Sequence, residues 1–335
     1  MNNSFFIGCD WGTSTFRLRL FNISKQKMEG EISNSDGVAS TFGLWQTQGG
    51  KHLISKEQFF RQKLKTNVDE LAELVQVNLD GIPIVISGMA SSSIGMLELK
   101  YADLPYALDG SNAEIVLISA DSDCKNDIIL ISGVKASDDV MRGEETQLMG
   151  MMSLLEQDNI RPENAVLIFP GTHSKHIYIE GKMMTDFQTF MTGEMYALLS
   201  QHSILRDSVE NRKSEIMTDD DVNIFRQGIQ ASSNYSLLHN IFSVRTNQLF
   251  GVLDKNQNSI YLSGLLIGSE LRSLLNQENL PIILSSNNNL QAYYKVGLEE
   301  LGLIHRTTIL ASKLVDLAAT MGQLLFLNKT HHQVK

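Results

Sequence analysis

Two segments far apart in the chain share one pattern. "IGCDWGTSTFRLRLF" (Ile7 to Phe21) and "LIFPGTHSKHIYI" (Leu167 to Ile179) each pass from an apolar, strand-like run through Gly-Thr-x-Ser/Thr. Each then continues into a second run that alternates with period two, the mark of a half-buried strand. When Gly12–Thr15 is laid over Gly171–Ser174, Leu18 falls on Ile177 and Leu20 on Ile179. A strand–turn–strand unit that recurs at this distance predicts two similar domains, each opening on a hairpin. Strands alternate with helical patterns through the rest of the chain, so the predicted class is α/β.

A length of 335 residues is enough for two such domains. In the first half, Ser55 and Gln58 form a capping-box signature ahead of an amphipathic pattern through Phe59, Leu64, Val68, Leu71, Leu74 and Val75. "PIVISGMA" reads as a buried strand ending in a glycine loop. The sequence turns polar at "VKASDDVMRGEETQ", after which Glu144 to Leu155 carries strong helix formers. Further helices are expected over Thr192–Leu205, Val222–Ser232 and Ser259–Leu275, and "PIILSS" reads as a strand. The expected division is an N-terminal domain over 1–140, a C-terminal domain over 141–327 and a flexible tail over 328–335.

Composition narrows the function. Lys and Arg number 28 against 38 Asp and Glu, a net charge of −10, which disfavours nucleic acid and anionic membranes as partners. The N-terminus has no basic start followed by an apolar run, and no apolar stretch approaches a membrane span, so a cytoplasmic location is expected. The two cysteines, Cys9 and Cys124, form no metal or redox motif, and Cys9 reads as a small core residue.

Gly-Thr-x-Ser/Thr in a turn suits a phosphate. Glycine lets the backbone approach closely, and amides and hydroxyls donate to the oxygens. Gly12, Thr13, Ser14 and Thr15 form one candidate loop, and Gly171, Thr172, His173 and Ser174 the other. Only the first has an acid, Asp10, just before its turn. A carboxylate beside phosphates needs a cation between them, and Mg²⁺ takes one or two carboxylates with waters and phosphate oxygens. Two plain β-turns, with Asp10 capping the first, would also carry these residue types. The P-loop signature, H-E-x-x-H, C-x-x-C and G-x-S-x-G are all absent. His173 and His176 are expected to face opposite ways, which argues against a shared metal.

Between the loops, "MRGEETQLMG" reads as a helix start with Glu144 and Glu145 in its first turn. Acids there are favourable whatever their function. Phosphoryl transfer to a hydroxyl also needs a carboxylate to accept the proton, and either glutamate could supply it. Arg142 beside them could hold an anionic substrate.

"DWGTSTFR", "SGMASSSIG", "VMRGEETQLMG", "FPGTHSKH", "DFQTFMTGEMYALL" and "LSGLLIGSEL" together resemble the 2-dehydro-3-deoxygalactonokinase family, in order from about residue 5 to 326. The resemblance implies the actin and hexokinase superfamily fold: two ribonuclease H-like domains facing a nucleotide and substrate cleft. It implies ATP and Mg²⁺, with Asp10 as metal ligand and the two Gly-Thr loops on the phosphates. In more distant sugar kinases of that superfamily, such as glycerol kinase, the acid directly after a glycine at the matching helix start is the base. That favours Glu144 over Glu145. Gly88, Met89, Ser91 and Ser92, with Arg142, would line the sugar-acid pocket. The adenosine segment of such kinases usually follows its strand with a glycine and a hydroxyl residue. Here Ser285, Ser286 and Asn287–Asn289 stand there, so Ser286 and Asn287 are the expected nucleotide contacts. The implied reaction is phosphorylation of 2-dehydro-3-deoxy-D-galactonate at its C6 hydroxyl in galactonate breakdown. A kinase for another sugar or sugar acid, or a nucleotide- or sugar-binding sensor without turnover, would use the same fold. A homodimer is compatible with the sequence.

Overall fold

The computed structural model describes residues 4–48, 54–158, 160, 162–210, 217–277 and 279–333. The chain divides into two compact units, one of 1–161 with 182–185 and 316–335, the other of 162–181 with 186–315.

The first unit opens on a meander of β1 (Phe5–Trp11), β2 (Phe16–Asn22) and β3 (Lys27–Asn34). Helices α1 (Val38–Thr47) and α2 (Lys56–Val75) follow, then β4 (Ile84–Gly88). Short strands β5 (Ala102–Asp103) and β6 (Tyr106–Ala107) precede β7 (Ile115–Ile118) and β8 (Ile128–Ile131). β9 (Val134–Lys135) and β10 (Val140–Met141) lead into α3 (Glu144–Gln157). The main sheet has the order β3-β2-β1-β4-β8-β7, antiparallel within the meander and parallel for β1-β4-β8. Its core gathers Ile7, Cys9, Trp11, Leu18 and Ile86 against Leu64, Val68 and Leu71 of the predicted stripe of α2; Phe60, outside that stripe, joins them, whereas Leu74, expected in it, is exposed. Ser55 caps α2 as expected, accepting from the Gln58 amide at 3.1 Å.

The second unit repeats the plan with β11 (Asn164–Phe169), β12 (Ser174–Glu180) and β13 (Met183–Phe190). Helices α4 (Thr192–His202), α5 (Asp219–Ala231), α6 (Leu237–Leu249) and α7 (Lys255–Leu271) follow. β14 (Ile282–Leu284), α8 (Asn288–Glu300) and β15 (Thr307–Ile309) complete it. Its strands run β13-β12-β11-β14-β15, with β11-β14-β15 parallel. Each unit therefore sets its meander strands in the order three, two, one and extends the sheet with two parallel strands. This is the ribonuclease H-like plan. The hairpins differ by one residue: Trp11 pairs with Phe16 across four loop residues, Phe169 with Lys175 across five. Pro170 is the addition.

The expected boundary at 140 moves, because α3 belongs to the first unit. The cause lies in the last helix, α9 (Ser312–Gln333). A Cβ on Gly150 would stand 1.8 Å from the Ala318 carbonyl oxygen, and one on Gly322 1.9 Å from that of Thr146. The two helices thus touch backbone to backbone, which only glycine allows. The expected flexible tail over 328–335 is corrected as well, since α9 stays helical through Gln333, with Phe326 and Leu327 buried. Residues 334–335 lie outside the described residues. Among the described residues no helix is long and apolar enough to cross a membrane.

Candidate active site

In the first unit the singled-out residues gather at the carboxyl ends of parallel strands, where open α/β sheets bind ligands. Asp10 is the penultimate residue of β1, opposite Arg17 on β2 and beside Ser87 on β4. Gly88 ends β4 with φ 93°, and a Cβ there would meet the Trp11 carbonyl oxygen at 2.8 Å. Gly143, φ 110°, lies so close that its Cβ would touch the Gly88 Cα at 3.4 Å. Two glycines in conformations that other residues rarely adopt thus bring Asp10, the start of "SGMASSSIG" and the start of α3 together. From behind, Gln323 of α9 donates from Nε2 to the Cys9 carbonyl and to the Ser87 hydroxyl, both at 2.9 Å.

The loop Gly12–Thr15 presents Thr13, Ser14 and Thr15 to solvent. Its carbonyls are engaged: the Val38 and Ala39 amides, in the first turn of α1, donate to Gly12 O at 2.9 Å and Thr13 O at 3.0 Å. Gly37, the N-cap of that helix, makes this approach possible, since a Cβ would stand 2.4 Å from Thr13 O. The Gly12 amide is spent within the loop, on Thr15 O at 2.9 Å, so the hydroxyls and the amides of Thr13–Thr15 are what the loop has left to offer a ligand.

The two glutamates differ sharply. Glu145 is wholly buried, accepting from the Gly143 amide at 2.7 Å and the Thr146 hydroxyl at 2.9 Å. It caps its own helix. Burial, with the charge of Glu144 second, pushes its carboxyl up to about 7. Glu144 is half-exposed and close enough to raise the Asp10 pKa as well. Burial is the larger cause of that rise, and Arg17 and Arg19 oppose it. Arg142 is a brace. Its guanidinium donates to Ser91 Oγ at 2.7 Å and Leu99 O at 3.0 Å and lies 4.0 Å from the Tyr101 ring centroid. Ser91 and Ser92 are buried, and their hydroxyls bond to Gly88 O and Met89 O, so this segment is held rigid by its own serines. Met89 is half-buried beside them.

The second unit repeats the loop design. Thr172 and His173 are exposed, and a Cβ on Gly171 would meet nothing within 4 Å. The helix after the third strand again supplies the support: the Glu194 amide of α4 donates to Thr172 O at 3.0 Å. Gly193 again permits the approach, since its Cβ would stand 2.7 Å from Gly171 O. His173 pairs through Nε2 with the Glu194 carboxylate. Ser174 corrects the expectation of a ligand-facing hydroxyl. Its side chain is fully buried and donates to Glu270 at 2.7 Å, because strand alternation turns it inward. His176 is likewise buried against Glu270, well apart from His173 in environment, as the alternation predicts. Ser286 is buried and donates to Asn287 O at 3.2 Å, whereas Asn287 is exposed as the N-cap of α8.

Sequence reasoning missed Gly37, Gly193, Gln323 and Glu270. The glycines are explained only by tertiary approach. An acid among apolar residues, as Glu270 stands in "LSGLLIGSEL", is a signal that could have been read.

The chain is similar to known proteins. The model of the 2-keto-3-deoxy-galactonokinase family matches residues 10–318. The 2-dehydro-3-deoxygalactonokinase of Escherichia coli (strain K12) is 28% identical over 278 residues, covering 80% of this chain and 89% of that protein. A Rhizobium meliloti (strain 1021) relative assigned by name to the same enzyme is 29% identical over 311 residues, 89% of this chain and 90% of it. A crystal structure from Sinorhizobium meliloti under the same enzyme name aligns with a TM-score of 0.72 at 27% identity, covering 95% of this chain and 96% of that one. The family match starts at Asp10 and runs through both loops, the Arg142–Glu145 segment and Glu270; the chain belongs to the 2-keto-3-deoxy-galactonokinase family and is a sugar-acid kinase.

Proposed function

We propose that the protein transfers the γ-phosphoryl group of ATP to the C6 hydroxyl of 2-dehydro-3-deoxy-D-galactonate, a step of galactonate catabolism in the cytoplasm. The observation that carries this reading is the loop design found in both units. Each Gly-Thr loop is held by a helix N-terminus through a close-approach glycine, at Gly12 O and Thr13 O in the first and at Thr172 O in the second, and this leaves Thr13–Thr15 and Gly171–His173 to donate to phosphate oxygens. Among the described residues none comes within 4 Å of where a Cβ on Gly171 would stand, so the backbone there is open to a ligand.

Glu144 is the general base in this account. It is half-exposed and near Asp10, whereas both oxygens of Glu145 are engaged within its own helix start. It takes the proton from the substrate hydroxyl as that oxygen attacks phosphorus. The Gly88–Ser92 segment, braced by Arg142, orients the sugar acid. Ser286 and Asn287 lie between β14 and α8 and serve the adenosine part. Asp10 fits Mg²⁺: it is a hard oxygen donor, and a cation would relieve its repulsion with Glu144. Among the described residues no three His, Cys, Asp or Glu form a metal cluster, which suits an ion held largely by water and phosphate. Bound there, Mg²⁺ neutralises phosphate charge.

The test is a pair of isosteric variants. Glu144→Gln lowers kcat by about 10²–10⁴, the range for loss of a general base, with the fold intact. If Glu145→Gln shows that loss and Glu144→Gln does not, the base is Glu145.

A further inference from the structure

The second unit holds a buried polar cluster that the reaction scheme leaves unused. Glu270 of α7 is 2% exposed and accepts four hydrogen bonds. Its Oε1 takes Ser174 Oγ at 2.7 Å and His176 Nε2 at 3.0 Å. Its Oε2 takes the Thr192 hydroxyl and Tyr294 OH, the latter at 2.7 Å. A carboxylate has about four lone-pair sites, so this one is saturated. Burial, and then the Glu270 charge, hold the Tyr294 phenol well above its usual range, so it stays a donor. The His176 ring packs on Phe190 at 4.5 Å between centroids, and its Nδ1 faces Ser273 Oγ at 3.4 Å.

The four donors come from three elements. Ser174 closes the Gly171–Ser174 loop, His176 follows it on β12, Thr192 opens α4, and Tyr294 belongs to α8. Thr192 and Ser174 flank the contact by which Glu194 N holds Thr172 O. One side chain therefore fixes the loop to the helix that engages its carbonyl. The hydroxyl that the sequence assigns to phosphate is spent on this joint.

We propose that Glu270 is a positioning residue that sets the second Gly-Thr loop for nucleotide phosphate. This rests on the reading that Gly171–His173 binds phosphate. A dislocated joint weakens nucleotide binding while the chemistry on bound substrate continues, so the effect falls on KM for ATP. A cluster that only stabilised the fold would lower the melting temperature and the active fraction, with both KM values unchanged.

The experiment measures KM for ATP, KM for the sugar acid and kcat in full-length Glu270→Gln, Tyr294→Phe, Thr192→Val and Gly171→Ala. Glutamine keeps the shape of Glu270 but confronts two of its donors with an NH₂ group. The expected result is a rise of roughly tenfold in KM for ATP, with KM for the sugar acid unchanged. Tyr294→Phe and Thr192→Val each remove one donor and should raise it by smaller factors; they carry the test if Glu270→Gln fails to fold. Gly171→Ala probes the underlying reading, because among the described residues its methyl meets no atom within 4 Å and would obstruct a ligand instead. Wild-type KM for ATP in the folded cluster variants, with a raised value in Gly171→Ala, overturns the positioning role alone. An unchanged value in Gly171→Ala overturns phosphate binding by the loop, and this proposal with it.

Discussion

Glu144 and Glu145 are neighbours in sequence with opposite surroundings. Glu145 is sealed inside the helix start, with a carboxyl pushed up to about 7 by burial and by Glu144. Its unfolded value is near 4.5. Between these values the folded state binds more protons than the unfolded, so stability is greatest below pH 4.5 on this account and falls as pH rises towards 7. Across that window the loss amounts to roughly 3 kcal/mol at most. Denaturant titrations in metal-free buffer from pH 5 to 8 should show that slope in the wild type and a flatter profile in Glu145→Gln. An equal slope in both would assign the titration elsewhere. Asp10 makes a different prediction. Asp10→Asn should fold normally but require far more Mg²⁺ for half-maximal turnover, and an unchanged metal titration would remove Asp10 from that role. Which of the two glutamates reaches solvent was not legible in the residues themselves, because "GEET" reads the same whichever acid turns inward.

The elements were legible where their reason is local. The hairpins, α2 and its cap, and α3 all follow from alternation, apolar spacing and capping residues. Helices Val38–Thr47 and Leu237–Leu249 were not anticipated: each buries only three side chains and has no acid in its first turn. The assignment of α9 to the first unit was also hidden, since it depends on Gly150 and Gly322 meeting backbones distant in sequence. Gly150→Ala should force these helices apart and cost about 1–3 kcal/mol, the usual range for overpacking. Because α3 begins with the site glutamates, kcat should fall with it. A melting temperature and activity like the wild type would mean that the crossing has slack.

At the scale of the whole molecule, the repeated Gly-Thr hairpin predicted two units, and both show the same strand order. The dividing line did not follow from the repeat. The chain leaves the first unit, returns for residues 182–185 and comes back with its last helix, an interleaving that no local signal records. Family membership establishes a sugar-acid kinase; the acceptor is the central claim that the fold cannot decide, because sugar-acid epimers differ by one hydroxyl's orientation. The most direct measurement is ADP release, coupled to a spectrophotometric readout, with ATP, Mg²⁺ and a set of acceptors. These are 2-dehydro-3-deoxygalactonate, its gluconate epimer, plain hexoses and a blank without sugar. The account predicts rapid turnover with the first compound and little with the others. Preferred turnover of another acceptor, or none at all with ATP still bound, would contradict it.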